Sequence, residues 1–275
     1  MGYIEWLSTD VQRDFQAVLF DFDGTISLIR EGWQPIMYTY FTEVLQEIDP
    51  KQSWEETMAL VQDFVDFLTG KQTIYQCIYL AQEIERRGAR PENPVVYKNE
   101  YNRRLLDHIS DRVSALRAGS VERGKLLVPG SIELLEYLRG QGLVLYLASG
   151  TDHEYVLDEA NALGVSSYFN GGIYGAVDDY ENFSKEQAIR DLILPKISSG
   201  ETLLGFGDGY VEIENVKAAG GVAVGVASNE KERKGIDNWK RSRLIQAGAD
   251  VIIGDYGPYR ALFSRLMGGA DLDVS

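Results

Sequence analysis

Two aspartates separated by a single residue, Asp21 and Asp23, stand directly after the apolar run Ala17–Phe20. A short run of this kind is typical of a buried strand, and a buried strand does not tolerate two acids in its middle. We therefore expect both carboxylates at the carboxyl end of the strand, where open α/β sheets bind ligands. Because residues i and i+2 of an extended segment point the same way, the pair could hold a hard cation. Alternatively, one acid could attack while the other moves a proton.

Two further apolar runs also end in polar residues. Residues 143–148 are followed by the polar triplet Ser149–Thr151, and residues 202–206 are followed by a segment that contains Asp208. Lys185 begins a helix-like pattern between these two runs. If the strands are parallel, their polar ends meet at one edge of the sheet.

A phosphate monoester bound at this edge would meet suitable groups. Mg²⁺ prefers oxygen ligands and binds through few carboxylates plus substrate phosphate, so Asp21, Asp208 and the backbone carbonyl of Asp23 could hold it. With the metal and Lys185 neutralising the phosphate, a carboxylate could attack the phosphorus. The polar triplet could bind phosphate oxygens, and Asp23 could protonate the leaving alcohol and then activate water.

In their order and approximate spacing, these residues resemble the four motifs of the haloacid dehalogenase superfamily. The matching segments are Asp21–Thr25, Ala148–Thr151, Lys185 and Gly207–Glu212, and the resemblance spans roughly residues 15–255. The resemblance implies a doubly wound parallel α/β sheet with a Rossmann-like core, and it implies phosphoryl transfer through an aspartyl-phosphate.

The resemblance also implies a role for each matching residue. Asp21 would be the nucleophile, Asp23 the general acid and base, and Lys185 the group that stabilises phosphate and nucleophile. The expected substrate-binding residues are Ser149, Gly150 and Thr151. The expected Mg²⁺ ligands are Asp21, Asp23, Asp208 and Glu212. Glu212 departs from the commoner pattern, in which a second aspartate follows the first by about four residues.

The region between about residues 33 and 118 has a different pattern from the rest of the chain. Its apolar residues recur at helical spacing in four sets, with almost no strand-like run. We therefore predict an all-helical cap domain at residues 29–121, inserted into an α/β core formed by residues 1–28 and 122–275. Insertion at this point is similar to the C1 cap of the superfamily. The predicted core strands are Ala17–Phe20, Leu143–Ala148, Thr202–Phe206, Val222–Val226 and Val251–Ile253. The predicted core helices include Ser131–Arg139, Glu154–Leu163, Lys185–Leu194 and Glu212–Ala219.

Composition limits the classes of partner. The 275 residues carry a net charge of −15, so nucleic acid and anionic membranes are not expected partners. A single cysteine, Cys77, excludes an internal disulfide and suits a reducing compartment. The first ten residues lack the pattern of a signal peptide, and no apolar run reaches membrane-spanning length. We therefore expect a cytoplasmic location.

Two other motifs, a calcium-binding loop and a dinucleotide-binding loop, do not fit, because required residues are missing at fixed positions. A calcium loop beginning at Asp21 would need an acid and a glycine where the chain has Thr25 and Ile26. A dinucleotide-binding loop would need its third glycine at Tyr210. Neither calcium nor a nucleotide cofactor is therefore expected.

The pattern as a whole predicts a Mg²⁺-dependent phosphatase acting on a small phosphorylated metabolite, such as a sugar phosphate or a phosphoglycolate-like acid. Asp23 favours phosphoryl transfer, because dehalogenase members of the family lack this second acid. Three alternatives stay open: a phosphomutase of the β-phosphoglucomutase type, a phosphonate hydrolase using a cap lysine (Lys51 or Lys71), and a catalytically silent module that binds Mg²⁺ and phosphate. Cap candidates for substrate contact are Trp33, Gln34, Arg103 and Arg104.

Overall fold

A computed structural model describes residues 3–177 and 184–268, and its centre is a β-sheet. The strands are β1 Ile4–Trp6, β2 Ala17–Phe20, β3 Val144–Asp152, β4 Gly172–Ala176, β5 Leu203–Gly207, β6 Val222–Val226 and β7 Val251–Ile253. Their order is β1-β7-β6-β5-β2-β3-β4. β1 pairs antiparallel with β7, and the other neighbouring strands are parallel. β2 therefore lies between β5 and β3, and the carboxyl ends of these three strands lie side by side.

Helices cover both faces of this sheet. They are α5 Ser131–Gly140, α6 His153–Ala162, α7 Lys185–Gln187, α8 Tyr210–Ala218, α9 Asn238–Gln246 and α10 Tyr259–Met267. Alternate residues of β2 enter two separate apolar cores: Val18 packs in the core that α5 and α10 share, and Leu19 packs in the core that α8 and α9 share. The doubly wound α/β class is therefore confirmed.

Four helices lie between β2 and β3 along the chain. They are α1 Trp33–Ile48, α2 Trp54–Leu68, α3 Thr73–Arg86 and α4 Pro94–Arg117. We call residues 33–117 the helical insert. α2 begins at a capping box formed by Ser53 and Glu56, and α4 begins at Asn93, which caps the helix, with Pro94 in its first turn. The division at residues 29–121 stays a prediction. Within the two described ranges, no helix is long and apolar enough to cross a bilayer.

The structure differs from the predicted strands in two places. β3 continues through Ser149, Gly150 and Thr151 to Asp152 instead of ending at Ala148, because β4 pairs alongside this extension with a register shift. β4 and β1 were not predicted, since β4 contains two glycines and β1 has only three residues. The predicted helix Lys185–Leu194 forms as α7 followed by a π-helical segment, Ala188–Ile193.

A tight turn after β2 directs the two aspartates. The backbone N–H of Asp21 donates to the carbonyl of Phe206, which keeps Asp21 aligned with the end of β5. The carbonyl of Phe22 then accepts from the N–H groups of Ile26 and Ser27, closing the turn. The chain therefore bends away immediately after Asp23 and leaves both carboxylates at the edge of the sheet.

Candidate active site

A cleft lies between the carboxyl edge of the sheet and the helical insert. It encloses about 730 Å³ including the open space at its mouth. From the sheet side it is lined by Asp21, Asp23, Ser149, Gly150, Thr151, Lys185 and Asp208. From the insert it is lined by residues that include Trp33, Met37, Gln76, Tyr101 and Leu105. The predicted site residues therefore come together at one cleft, with Glu212 directly beneath it.

Asp21 is buried and ion-paired. Asp21 is only 6% exposed, and the Lys185 ammonium lies 2.7 Å from its Oδ1. Burial raises the pKa of Asp21 to about 6, with the Lys185 charge opposing this rise and the Asp208 charge adding to it. Lys185 also donates to Oε1 of buried Glu212, on the first turn of α8. Lys185 is thereby held between two carboxylates, with its ammonium at the floor of the cleft.

Asp23 has a different environment from Asp21, although only one residue separates them. Its Oδ2 accepts hydrogen bonds from the hydroxyls of Thr151 at 2.9 Å and Ser149 at 3.3 Å. Its Oδ1 has no hydrogen-bond partner among the described residues, and the nearest cation is the Nε of Arg30 at 3.8 Å. The extension of β3 thus orients Asp23 by one oxygen and leaves the other without a donor.

Asp208 follows β5 and meets a lysine that sequence reasoning missed. The ammonium of Lys240, on α9, lies 2.7 Å from Oδ2 of Asp208 and 2.6 Å from Oε1 of Glu230. Burial lowers the pKa of Lys240, but the charges of Asp208 and Glu230 outweigh burial and raise it above its ordinary value. A β-carbon at Gly24 would lie 2.1 Å from Asp208 Oδ2, so the turn after β2 packs directly against this carboxylate.

The oxygen donors at this edge suit Mg²⁺. Asp21 and Asp208 offer carboxylates at the ends of two adjacent strands, and Asp23 adds a backbone carbonyl in the turn after β2. Within residues 3–177 and 184–268, no three Asp, Glu, His or Cys side chains cluster closely enough to form a metal cage of their own. Mg²⁺ binds in this way, through one or two carboxylates with substrate phosphate and water completing the shell.

Glu212 contacts Lys185 in this structure. Its second oxygen, Oε2, is buried and has no partner among the described residues. A β-carbon at Gly209 would lie 2.5 Å from that oxygen, so the glycine makes room for it. The prediction that Glu212 is a metal ligand stays a prediction, while its contact with Lys185 gives it an observed role as the partner of that ammonium.

The cap candidates separate into two groups. Trp33 lines the cleft, whereas Gln34, Arg103 and Arg104 are not among the described residues that line it. Arg103 pairs with Glu100 and Asp107 on its own helix, and Arg104 pairs with Glu43 and Glu100. Of the two lysines named for phosphonate chemistry, Lys71 lines the cleft and is exposed, and Lys51 does not line it within the described part of the chain.

Gln76 and Arg30 also line the cleft, and sequence reasoning did not identify either of them. Gln76, on α3, is buried; its Nε2 donates to the carbonyl of Leu68 at 3.5 Å, and its Oε1 has no partner among the described residues. Arg30 forms a buried two-pronged pair with Glu159, at 2.7 and 2.9 Å. The sequence pattern of α3 showed only helical spacing of apolar residues, so it did not single out Gln76. Arg30 and Glu159 are 129 positions apart, so their pairing leaves no local signal in the sequence.

Comparisons with known proteins were made for the sequence and for the fold. A family model described as haloacid dehalogenase-like hydrolase matches residues 15–220. Among curated proteins, no sequence matches the chain.

Three solved structures illustrate the similarity of the fold. A predicted phosphoglycolate phosphatase from Haemophilus somnus is 18% identical with a TM-score of 0.59, covering 91% of this chain and 98% of its own. A β-phosphoglucomutase from Clostridium difficile is 15% identical with a TM-score of 0.58, covering 92% and 97%. A HAD family hydrolase from Deinococcus radiodurans, with bound phosphate and sodium, is 19% identical with a TM-score of 0.52, covering 94% and 99%. At these identities the similarity shows the fold alone.

Proposed function

The chain belongs to the haloacid dehalogenase-like hydrolase family, and on that premise we propose that it is a Mg²⁺-dependent phosphatase of a small phosphate monoester. The observation that carries the proposal is the unequal treatment of two neighbouring acids. Asp21 is buried against Lys185, and Asp23 is held by Ser149 and Thr151 with one oxygen free of donors. A nucleophile and a separate proton carrier need this kind of difference.

The proposed reaction follows from these positions. Asp21 attacks the phosphorus as the bond to the leaving oxygen breaks, and protonated Asp23 gives its proton to the departing alcohol. Asp23 then takes a proton from water, which attacks the aspartyl-phosphate and releases inorganic phosphate. Asp21, Asp208 and the carbonyl of Asp23 would hold Mg²⁺, with Glu212 as the fourth proposed ligand. When bound, the metal offsets the negative charge of the phosphate. Lys185 supplies further positive charge at the same place.

Substrate binding would engage the polar triplet as well as the cleft walls. The hydroxyls of Ser149 and Thr151 donate to Asp23, and the N–H of Thr151 donates to the Ser149 hydroxyl, so these donors lie beside Asp23. A bound phosphate would take over these donors with its oxygens. The helical insert would act as the cap that excludes bulk water during the reaction. A cleft of this size under such a cap favours a metabolite over a phosphoprotein.

The wall of the cleft that the helical insert forms favours a leaving group with hydroxyls over one with a carboxylate. Gln76 presents an acceptor without a partner among the described residues, and an acceptor calls for a hydroxyl or amine donor. The amide is assigned with Nε2 facing the carbonyl of Leu68 at 3.5 Å, which makes Oε1 the atom without a partner. Arg30, which would suit a carboxylate, is already bound to Glu159. We therefore propose a sugar or polyol phosphate before a phosphoglycolate-like acid.

The alternatives make distinguishable predictions. A phosphomutase would isomerise its substrate and depend on a bisphosphate, without net release of phosphate. A phosphonate hydrolase needs a desolvated amine to form a Schiff base, and Lys71 is exposed at the cleft. A silent module would bind Mg²⁺ and phosphate without turnover, which the retention of both Asp21 and Asp23 disfavours.

A metabolite panel tests the proposal. The protein is incubated with sugar phosphates, polyol phosphates, phosphoglycolate and phosphonates, with Mg²⁺ or with EDTA, and released phosphate is measured. We expect release from hydroxylated monoesters with Mg²⁺ and its loss with EDTA. Release from no compound would overturn the phosphatase proposal. Isomerisation without release would favour the mutase, and cleavage of phosphonates alone would favour the phosphonate hydrolase.

A further inference from the structure

Lys240 provides a fixed positive charge at the edge of the proposed metal site. It lies on α9, far along the chain from the motif residues, and is only 8% exposed. Asp237 caps the start of α9 by accepting from the backbone N–H groups of Trp239 and Lys240. The Lys240 ammonium reaches Asp208 and Glu230, and it lies 3.4 Å from the hydroxyl of Ser228. A buried lysine with this many partners is held in one position.

The partners of Lys240 restrict how Asp208 can bind a cation. Oδ2 of Asp208 is engaged by the ammonium at 2.7 Å, while Oδ1 carries no hydrogen bond from the described residues. The Ser228 hydroxyl donates to the carbonyl of Gly24, so the lysine site is tied to the turn that carries Asp23. Oδ1 is therefore the oxygen that Asp208 can offer a cation without giving up its pair with Lys240.

Glu230 is the second carboxylate that pairs with Lys240 and is therefore less available to a metal ion. It lines the same cleft as Asp21 and Asp208, and its Oε1 lies 2.6 Å from the ammonium. Without the lysine, Oδ2 of Asp208 and Oε1 of Glu230, which both contact the ammonium, would lose that cation and could turn to another one. That set would suit Ca²⁺, which takes six to eight oxygens and often binds carboxylates through both oxygens. Mg²⁺ demands a small octahedral shell and keeps its waters, so it loses little from their absence.

We propose that Lys240 is a positioning residue that sets the metal selectivity of this site, by restricting Asp208 to one oxygen and occupying Glu230. The inference rests on the proposed function only in placing Mg²⁺ at Asp21 and Asp208. It predicts that selectivity for Mg²⁺ over Ca²⁺ depends on a side chain that never touches the metal.

Direct calorimetric titration with MgCl₂ and with CaCl₂ tests the inference on the purified full chain. For Lys240→Met, we expect the ratio of Ca²⁺ to Mg²⁺ dissociation constants to fall at least about tenfold, because oxygens are released to the larger ion. Lys217→Met is the matched control. Lys217 also pairs with a buried aspartate, Asp250, at 2.8 Å, but away from the cleft. Its loss should leave the ratio at the wild-type value.

A double variant guards against a single variant that does not fold. Lys240→Met/Glu230→Gln keeps the net charge of the chain and leaves no unpaired glutamate, yet it still frees Asp208. We expect it to lower the ratio less than Lys240→Met alone. An unchanged ratio in the double variant, or an equal fall in Lys217→Met, would overturn the inference.

The titrations also separate the two proposals from each other. If the wild-type protein binds Mg²⁺ and releases phosphate while the ratio is unchanged in both Lys240 variants, only the selectivity inference is wrong. If the ratio shifts as expected but no phosphate is released from any compound, the selectivity inference stands and the phosphatase proposal falls. If the wild-type protein binds neither cation, both fall.

Discussion

Buried or half-buried carboxylates stand at two places in this sheet, and their oxygens are hydrogen-bonded to different degrees. Just before β7, Asp250 accepts from Lys217 through both oxygens, at 2.8 and 2.9 Å, and from the backbone N–H of Ala223 at 2.9 Å. At the carboxyl edge, Oδ1 of Asp23 and Oε2 of Glu212 have no partner among the described residues. The chain therefore gives both oxygens of Asp250 hydrogen-bond partners and leaves one oxygen of Asp23 and one of Glu212 without any.

The difference separates a structural role from a functional one. A buried acceptor without a partner costs stability, so it persists only where a ligand completes it or where it stores a reactive group. Asp250 ties the loop before β7 to β6 and α8, and nothing remains for it to bind. Asp23 lines the cleft that Asp21 and Asp208 also line, and Glu212 contacts Lys185 at its floor. Substitutions at the two places should therefore change different measurements.

Asp21→Asn should have the largest effect of the substitutions considered, and this effect is a loss of activity. Asparagine cannot attack phosphorus, so phosphate release should fall at least about a thousandfold. Lys185 keeps Glu212 as a partner, so the thermal midpoint should stay within about 3 °C of wild type. Steady-state kinetics and circular dichroism measure the two effects. A variant with full activity would show that the nucleophile is another group.

Asp250→Asn gives the second effect and should fall on stability. The amide replaces an ion pair with Lys217 and puts an N–H₂ group among donors, which should lower the free energy of unfolding by about 2–3 kcal/mol. The rate of phosphate release per folded molecule should not change, because the site is elsewhere in the sheet.

Urea denaturation with an exposed control tests this second effect. Asp10 pairs with Arg13 at 2.7 Å on the surface, and Asp10→Asn should leave the denaturation midpoint unchanged. If Asp250→Asn reduced turnover per folded molecule as strongly as Asp21→Asn, the separation of structural and functional carboxylates would be wrong.

The sequence predicted those parts of this arrangement that leave a local signal. Acids directly after an apolar run identified Asp21 and Asp208, and helical spacing identified the four helices of the insert. A strand that is buried along its whole length is also recognisable from its sequence. Val222–Val226 is apolar throughout and was predicted with its observed ends. β4, with glycines at positions 172 and 175, has too little side-chain surface to produce such a pattern.

Contacts made across the chain were out of reach of the same reasoning. Lys240 meets Asp208 only because β5, β6 and β7 are neighbours in the sheet, which brings α9 over the end of β5. Arg30 and Glu159 are 129 positions apart. The predicted end of the strand at Ala148 was wrong for a similar reason, since the pairing with β4 extends β3 through Ser149–Thr151.

Gln76→Leu gives the smallest effect, and it should move stability and activity in opposite directions. Leucine removes the unpartnered Oε1 from a buried position, which should raise the free energy of unfolding by about 1 kcal/mol. The same change removes the acceptor proposed for a substrate hydroxyl, so kcat/KM for the best sugar or polyol phosphate should fall about tenfold, mainly through KM. For p-nitrophenyl phosphate, which has no hydroxyl to offer, kcat/KM should stay unchanged.

Gln34→Leu is the matched control, because Gln34 lies in the insert but not among the described residues that line the cleft. It should change neither substrate preference nor stability to a comparable degree. An equal loss of kcat/KM for both substrates in Gln76→Leu would mean that Gln76 shapes the cleft and does not read a hydroxyl. A gain in stability with a selective loss for hydroxylated substrates would place Gln76 with the open acceptors of the cleft. Asp250 would then mark the opposite case, in which the protein itself completes every hydrogen bond.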